Sequence, residues 1–349
     1  MKAHWFRFAL SLGSLAALAP GQSAPPSAFT APKTVNQAWT PPRTPEGHPD
    51  LQGFWSNNIA TPLERPRELN GRATLTDEEL AAMKKKAQEL FDGKGDAAFG
   101  DTVFNVVWAN VHGTKTGFVS TDGETGDYSS VWTVEREWDN RTSLIFDPSD
   151  GRIPAMTPEA QKRRDTIREA RRRPAQGPED RPLAERCLTY GSPQLFAGYQ
   201  AYYQIVQTPK AVMFMTEMIH DVRTISIDAG PHVRSAIRQW MGDSRGHWEG
   251  DVLVVDTTNY KPGAFQAISS ENLRVTERFS LRDAETLKYE ITIDDPGTWI
   301  RPWSLMVPLR RTTDRVFEYA CHEGNEGLAG ILAGARAEEA AEAKKNAQK

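Results

Sequence analysis

From Tyr202 to Cys321 the chain breaks into short apolar runs, each closed by a turn signal. "YYQIVQ" gives way at Thr208-Pro209-Lys210 to "AVMFMTEM", and "VRTISID" ends at Asp228 to Pro231. "RGHW" turns at Glu249-Gly250-Asp251 into "VLVVDTTNY", and "LRVTERFSL" turns at Asp283 to Glu285 into "TLKYEITI". "TWIRPWSLMVPLR" and "RVFEYAC" complete the series. Strand-length segments at even spacing, with turns between them, predict a mainly β fold: an antiparallel barrel or meander with flanking helices.

Alternation along a strand also assigns faces. In "LRVTERFSL", Glu277 shares its face with Leu273, Val275, Phe279 and Leu281. Arg223 shares a face with Ile225 and Ile227, and Glu217 with Met213 and Met215. Three charged residues therefore point where apolar side chains point. An unpaired buried charge is expensive, so these groups must be paired, hydrated or ligand-bound. One reading is an Arg223–Glu277 salt bridge that fills the barrel. The other is a polar floor in an apolar cavity, the usual make-up of a small-molecule site.

The remaining candidates lie at strand ends. "EMIHDVR" puts His220 and Asp221 at a tight connection, "DAGPH" puts His232 past a turn, and "CHEGN" puts His322 and Glu323 beside Cys321. Imidazole titrates near neutral pH, which suits a general acid or base. On that reading His322 or His220 is catalytic, and Asp221 or Glu323 orients it. Arg223, Glu277, Glu217 and His232 contact substrate, and Trp299 and Trp303 line the pocket. The bland reading leaves the histidines in solvent. No metal is expected, since no helical H-x-x-x-H or H-E-x-x-H spacing occurs, a site assembled from separate loops being the alternative, and no cofactor, since no Walker loop or dinucleotide fingerprint follows a strand. The G-x-S-x-G elbow of serine hydrolases is also missing.

The N-terminus reads as an export leader over 1–24, with Lys2 and Arg7 ahead of the apolar run "FALSLGSLAALA". An uncleaved anchor is the alternative, although the run is short for a span of about 20 residues. A proline-rich arm follows over 25–49, then a β-rich domain over 50–330 with inserted helices, and a helical tail over 331–349. "LTDEELAAMKKKAQELF" predicts a helix with a Thr76/Glu79 capping box. "TPEAQKRRDTIREARRRP" predicts another, capped by Thr157. Its arginines are balanced by Glu159, Asp165 and Glu169, as on a solvated face. A net charge of -4 leaves no nucleic-acid footprint. Only two cysteines occur, Cys187 and Cys321. Outside the cytoplasm an isolated pair favours a disulfide, and two buried thiols are the alternative.

"PDLQGFW", "TSLIFDPSDGRIP", "RCLTYGSPQ", "IHDVRTISIDAGPH", "WEGDVLVVDTTNY" and "CHEGN" together resemble a large uncharacterised family of exported bacterial proteins. The resemblance implies export and one architecture over most of the chain, with no activity attached. The turn usually written D-G-R-P-H in that family is Asp228-Ala229-Gly230-Pro231-His232 here and lacks the arginine. Gly53-x-Trp55 also resembles the lipocalin signature, which implies a barrel that takes a small organic ligand at its mouth. The functional expectation is an exported lipocalin-like protein, periplasmic or secreted, with an aromatic-lined cavity and acid–base chemistry of a lyase, isomerase or hydratase. A non-catalytic binding protein and an envelope-associated structural protein with a filled barrel are the alternatives. No membrane span is expected in the mature chain, and the sequence leaves the oligomeric state open.

Overall fold

The computed structural model describes residues 39–91, 98, 100–117, 136–195 and 201–348. The expected leader and most of the proline-rich arm lie outside them, as does most of the segment "YSSVWTVEREW". Residues 41–349 form one compact unit; Met1–Thr40 form a second, of which only Trp39 and Thr40 are described.

Among the described residues the larger unit is built on ten strands: β1 (Gly53–Ser56), β2 (Ile145–Asp147), β3 (Tyr202–Thr208), β4 (Ala211–Thr216), β5 (Val222–Ile227), β6 (Asp243–Glu249), β7 (Val252–Thr258), β8 (Arg274–Asp283), β9 (Thr286–Asp294) and β10 (Trp303–Thr312). Nine close into a barrel in the order β1-β3-β4-β5-β6-β7-β8-β9-β10, with β10 returning to β1. The free edge of β10 is shared: Arg310 to Thr312 pair with β1, and Ser304 and Leu305 pair with β2. Closure leaves little unpaired sheet edge.

One pairing departs from the antiparallel expectation. β5 and β6 are parallel, with Ser226 opposite Arg245 and Ile227 opposite Gly246. Residues 228–242 must therefore cross from one rim of the barrel to the other. Two side chains tie this crossover down. His232 sits between Asp243 (Nδ1 to Oδ2, 2.9 Å) and Asp256 (Nε2 to Oδ2, 3.0 Å). Asn259 donates from Nδ2 to the carbonyls of Val233, Arg234 and Ile237.

The "RVFEYAC" segment is not a strand. β10 ends at Thr312, and residues 313–320 run as an irregular strap. Phe317 is 69% exposed, so the apolar run has no sheet face to bury against.

Among the described residues, four helices flank the barrel: α1 (Asp77–Leu90), α2 (Asp101–Val111), α3 (Pro158–Ala170) and α4 (Glu326–Ala347). α1 carries the expected capping box: Thr76 accepts from the Glu79 amide, and Glu79 accepts from the Thr76 amide. α3 starts from Thr157 with Pro158 in its first turn. α2 lies in a stretch whose flanking glycines hide it in the sequence; its Phe104 and Val107 pack on Met83 of α1. α4 begins at Glu326, so the expected domain boundary at 330 falls inside it. No helix among the described residues is long and apolar enough to cross a membrane.

Candidate functional site

Inside the barrel, Arg223 of β5 reaches across the lumen to Glu277 of β8, with β6 and β7 between them in the sheet order. Nη2 donates to Oε1 at 2.7 Å, and Nη1 donates to Oε2. The Tyr289 hydroxyl of β9 also donates to Oε1. Burial works against the Arg223 charge, and the Glu277 carboxylate more than offsets it, holding the guanidinium above its ordinary value. Burial and the same carboxylate push the Tyr289 phenol well up. Phe279 stacks on Tyr289 with ring centroids 4.4 Å apart, and Phe214 packs against both. Arg223 and Glu277 thus satisfy each other, the salt-bridge outcome of the two readings.

Glu217, His220 and Asp221 lie at the rim where β4 turns into β5. A single 3-10 turn, Met218–His220, makes this connection, with Ile219 and His220 both at left-handed φ (57° and 45°). A β-branched residue there is strained, and such positions persist only where surroundings enforce them. Three groups enforce this one. Asp221 Oδ2 accepts from Thr189 Oγ1 at 2.8 Å, from the Tyr190 amide at 2.9 Å and from Gln194 Nε2 at 3.4 Å. Glu217 Oε1 accepts from the Phe317 amide at 2.9 Å. The Tyr319 carbonyl meets His220 Nδ1 at 3.0 Å.

The disulfide closes this corner. Cys187 and Cys321 are bonded, with Cα atoms 5.7 Å apart, and no free cysteine remains. The bridge ties the loop that binds Asp221 to the strap that binds Glu217 and His220. Tyr202 Oη donates to Asp314 at the strap's near end, at 3.1 Å. Leu188, Tyr190, Val222 and Phe317 stand exposed on these same segments.

Burial pushes the Glu217 carboxyl up, with only the Phe317 amide opposing it, and Oε2 has no partner. Asp221 is raised by burial too, against the hydrogen bonds from Thr189, Tyr190 and Gln194. Burial and neighbouring Tyr319 raise the Tyr190 phenol. A carbonyl oxygen can only accept, so His220 Nδ1 is the donor, and in the neutral ring Nε2 is the acceptor, on an exposed side chain. That is the tautomer of a general base.

Several expectations need correcting. Asp221 does not orient His220, because its Oδ2 is taken up by the 189–194 loop. His322 rides on the strap segment that reaches His220, but it and Glu323 are exposed, and neither side chain has a hydrogen bond or ion pair among the described residues. Cys321 therefore anchors the strap rather than ending a strand. Trp299 and Trp303 lie on the same rim, since β10 starts where β4 ends, yet both are buried. Their rings meet each other (5.6 Å, edge to face), and Trp303 meets Phe265; these contacts lie inside the barrel. His232 is committed to Asp243 and Asp256, so it does not face the corner. Among the described residues, no three His, Cys, Asp or Glu side chains gather in a metal-binding group.

Sequence reading missed Tyr190 and Tyr319, whose positions follow from the disulfide, and Tyr289, whose alternation made it an ordinary core residue. Comparison with protein-family models, curated proteins and solved structures finds no match to this chain.

Proposed function

We propose that the β4–β5 corner binds a small organic molecule with an apolar or aromatic body and transfers a proton on it, with His220 Nε2 as the base. The observation that carries this is the His220 Nδ1–H bond to the Tyr319 carbonyl, which fixes the ring and its tautomer on a strained, disulfide-braced turn. Leu188, Tyr190, Val222 and Phe317 supply apolar surface around it. On this reading the chain is an exported lipocalin-like protein of the bacterial family it resembles. The disulfide supports a site of action outside the reducing cytoplasm.

The test incubates purified protein with a mixed pool of phenols, aromatic acids and lactones, followed by mass spectrometry and by NMR of the His220 ring. Expected are depletion of one pool member by the wild type, loss of that turnover in His220→Gln, and an unchanged circular dichroism spectrum. Binding without turnover would leave a non-catalytic carrier.

A second reading is a structural envelope protein with a filled barrel. The Arg223–Glu277–Tyr289 cross-link favours it by occupying the lumen. A folded protein with no ligand response at His220 would select it.

A further inference from the structure

Arg136 is unlike Arg310, Arg141 and Arg65. Arg310 pairs with Glu137 at 2.8 Å, Arg141 with Asp139 at 2.7 Å, and Arg65 donates to Thr142 at 2.9 Å and to the Ser149 carbonyl at 3.1 Å. The Arg136 Nη1 and Nη2 atoms are both buried and have no hydrogen-bond partner. Burial is the one influence acting on its charge, and it pulls the guanidinium down to about 10. An uncompensated buried cation is among the most expensive groups a fold can carry.

A second unsatisfied group lies on the segment bridged to the residue after Arg136. Ile59 and Glu137 form a parallel bridge, with the Glu137 amide donating to the Asn58 carbonyl (2.9 Å) and the Ala60 amide to the Glu137 carbonyl (2.8 Å). Bridged residues share a face, so their predecessors, Asn58 and Arg136, share the opposite one. Asn58 Oδ1 is also buried without a partner. The bridge therefore sets side by side the backbone positions that carry two N–H donors on a cation and one carbonyl acceptor, and these groups do not bond each other. Glu137 cannot serve Arg136, because it points the other way, to Arg310.

We propose that Arg136 and Asn58 form a binding site for a small 2-hydroxy carboxylate. Its carboxylate takes the guanidinium fork in the two-bond geometry that arginine offers, and its hydroxyl donates to Asn58 Oδ1. A 2-amino carboxylate fits less well, because its ammonium would bring a second positive charge beside the guanidinium. This site stands apart from His220 and does not rest on the role proposed for it.

The test is calorimetric titration of the full chain in carboxylate-free Tris buffer with L-lactate, acetate and lactamide. Expected are saturable binding of L-lactate, binding of acetate about five- to tenfold weaker through loss of one hydrogen bond, and no binding of lactamide. Arg136→Gln should abolish the lactate response, and Asn58→Ala should reduce it to that of acetate. In the same buffer without ligand, Arg136→Gln should melt at the wild-type temperature or above it, since it removes an unpaired buried charge. The proposal is overturned if neither anion binds saturably, if Arg136→Gln leaves binding intact, or if Arg136→Gln lowers the melting temperature, which would expose a structural role for the guanidinium.

Discussion

Arg223 and Glu277 meet across the barrel lumen through two hydrogen bonds, and the Tyr289 hydroxyl adds a third to the same carboxylate. Removing one partner strands the other in a low-dielectric interior. Arg223→Ala is expected to cost about 3–5 kcal/mol in urea denaturation. The double variant Arg223→Met/Glu277→Leu should recover most of that loss, because well-packed apolar pairs replace buried ion pairs at little cost. A double variant no better than Arg223→Ala would mean that the charges specify the fold itself.

Glu217 makes stability depend on pH in a defined sense. Its folded-state pKa lies above its unfolded value, so the native state holds its proton longer. The unfolded chain binds fewer protons as pH rises past the ordinary carboxylate value of about 4, and stability falls until the folded pKa is passed. Glu217→Gln keeps the acceptor for the Phe317 amide and removes the titration. Its melting temperature should match the wild type near pH 4 and exceed it increasingly toward neutrality. Parallel melting curves across that range would count against a raised Glu217.

Reduction of Cys187–Cys321 should free the strap while the barrel stays closed. The bridge spans 134 residues of sequence, for which loop closure predicts about 5 kcal/mol. Hydrogen exchange offers a local reading, because the Phe317 amide is bonded to a buried carboxylate. In the oxidised protein this amide should exchange slowly, and in Cys321→Ser it should exchange at the rate of an open strand end. Denatured, unreduced protein should show no thiol to a labelling reagent.

Gly191 follows the loop that grips Asp221. It sits at φ +94°, and a Cβ there would lie 2.6 Å from the Ala264 carbonyl oxygen. Backbone cannot yield as a side-chain tip can. Gly191→Ala should destabilise by on the order of 1–3 kcal/mol and loosen the Asp221 corner. Thermal denaturation checks the first, and the exchange rate of the Tyr190 amide checks the second.

The barrel was legible because period-two alternation survives in β8 and β9, where Glu277 and Tyr289 could be placed on the interior face from the residues between which they stand. The same reasoning put Arg223 on an apolar face, and the pairing with Glu277 was one of its two readings. It failed where order does not come from a sheet. Val316, Phe317 and Tyr319 read as a strand by composition, yet the segment is held at Asp314 by Tyr202 of β3, at Phe317 by Glu217 and at Tyr319 by His220, contacts no local pattern encodes. The parallel β5–β6 pairing was invisible for the same reason: it depends on His232 and Asn259 holding a crossover in place. Asp221 was found but misassigned, because its adjacency to His220 in sequence says nothing about where its carboxylate turns.

The shared edge of β10 has a bearing on how the chain reaches this state. Residues 53–56 complete the barrel only by pairing with residues 310–312, near the other end of the chain. Most strand contacts form between sequence neighbours, but this seam demands that a loop of some 250 residues be closed first, a step whose entropic cost delays the contacts that reward it. During synthesis β1 and β3 can pair early, whereas the outer edge of β1 has no partner until the last strand emerges. The barrel is then an open sheet for most of its assembly, and its rate of closure, rather than any single contact, sets how long that edge is presented to other chains.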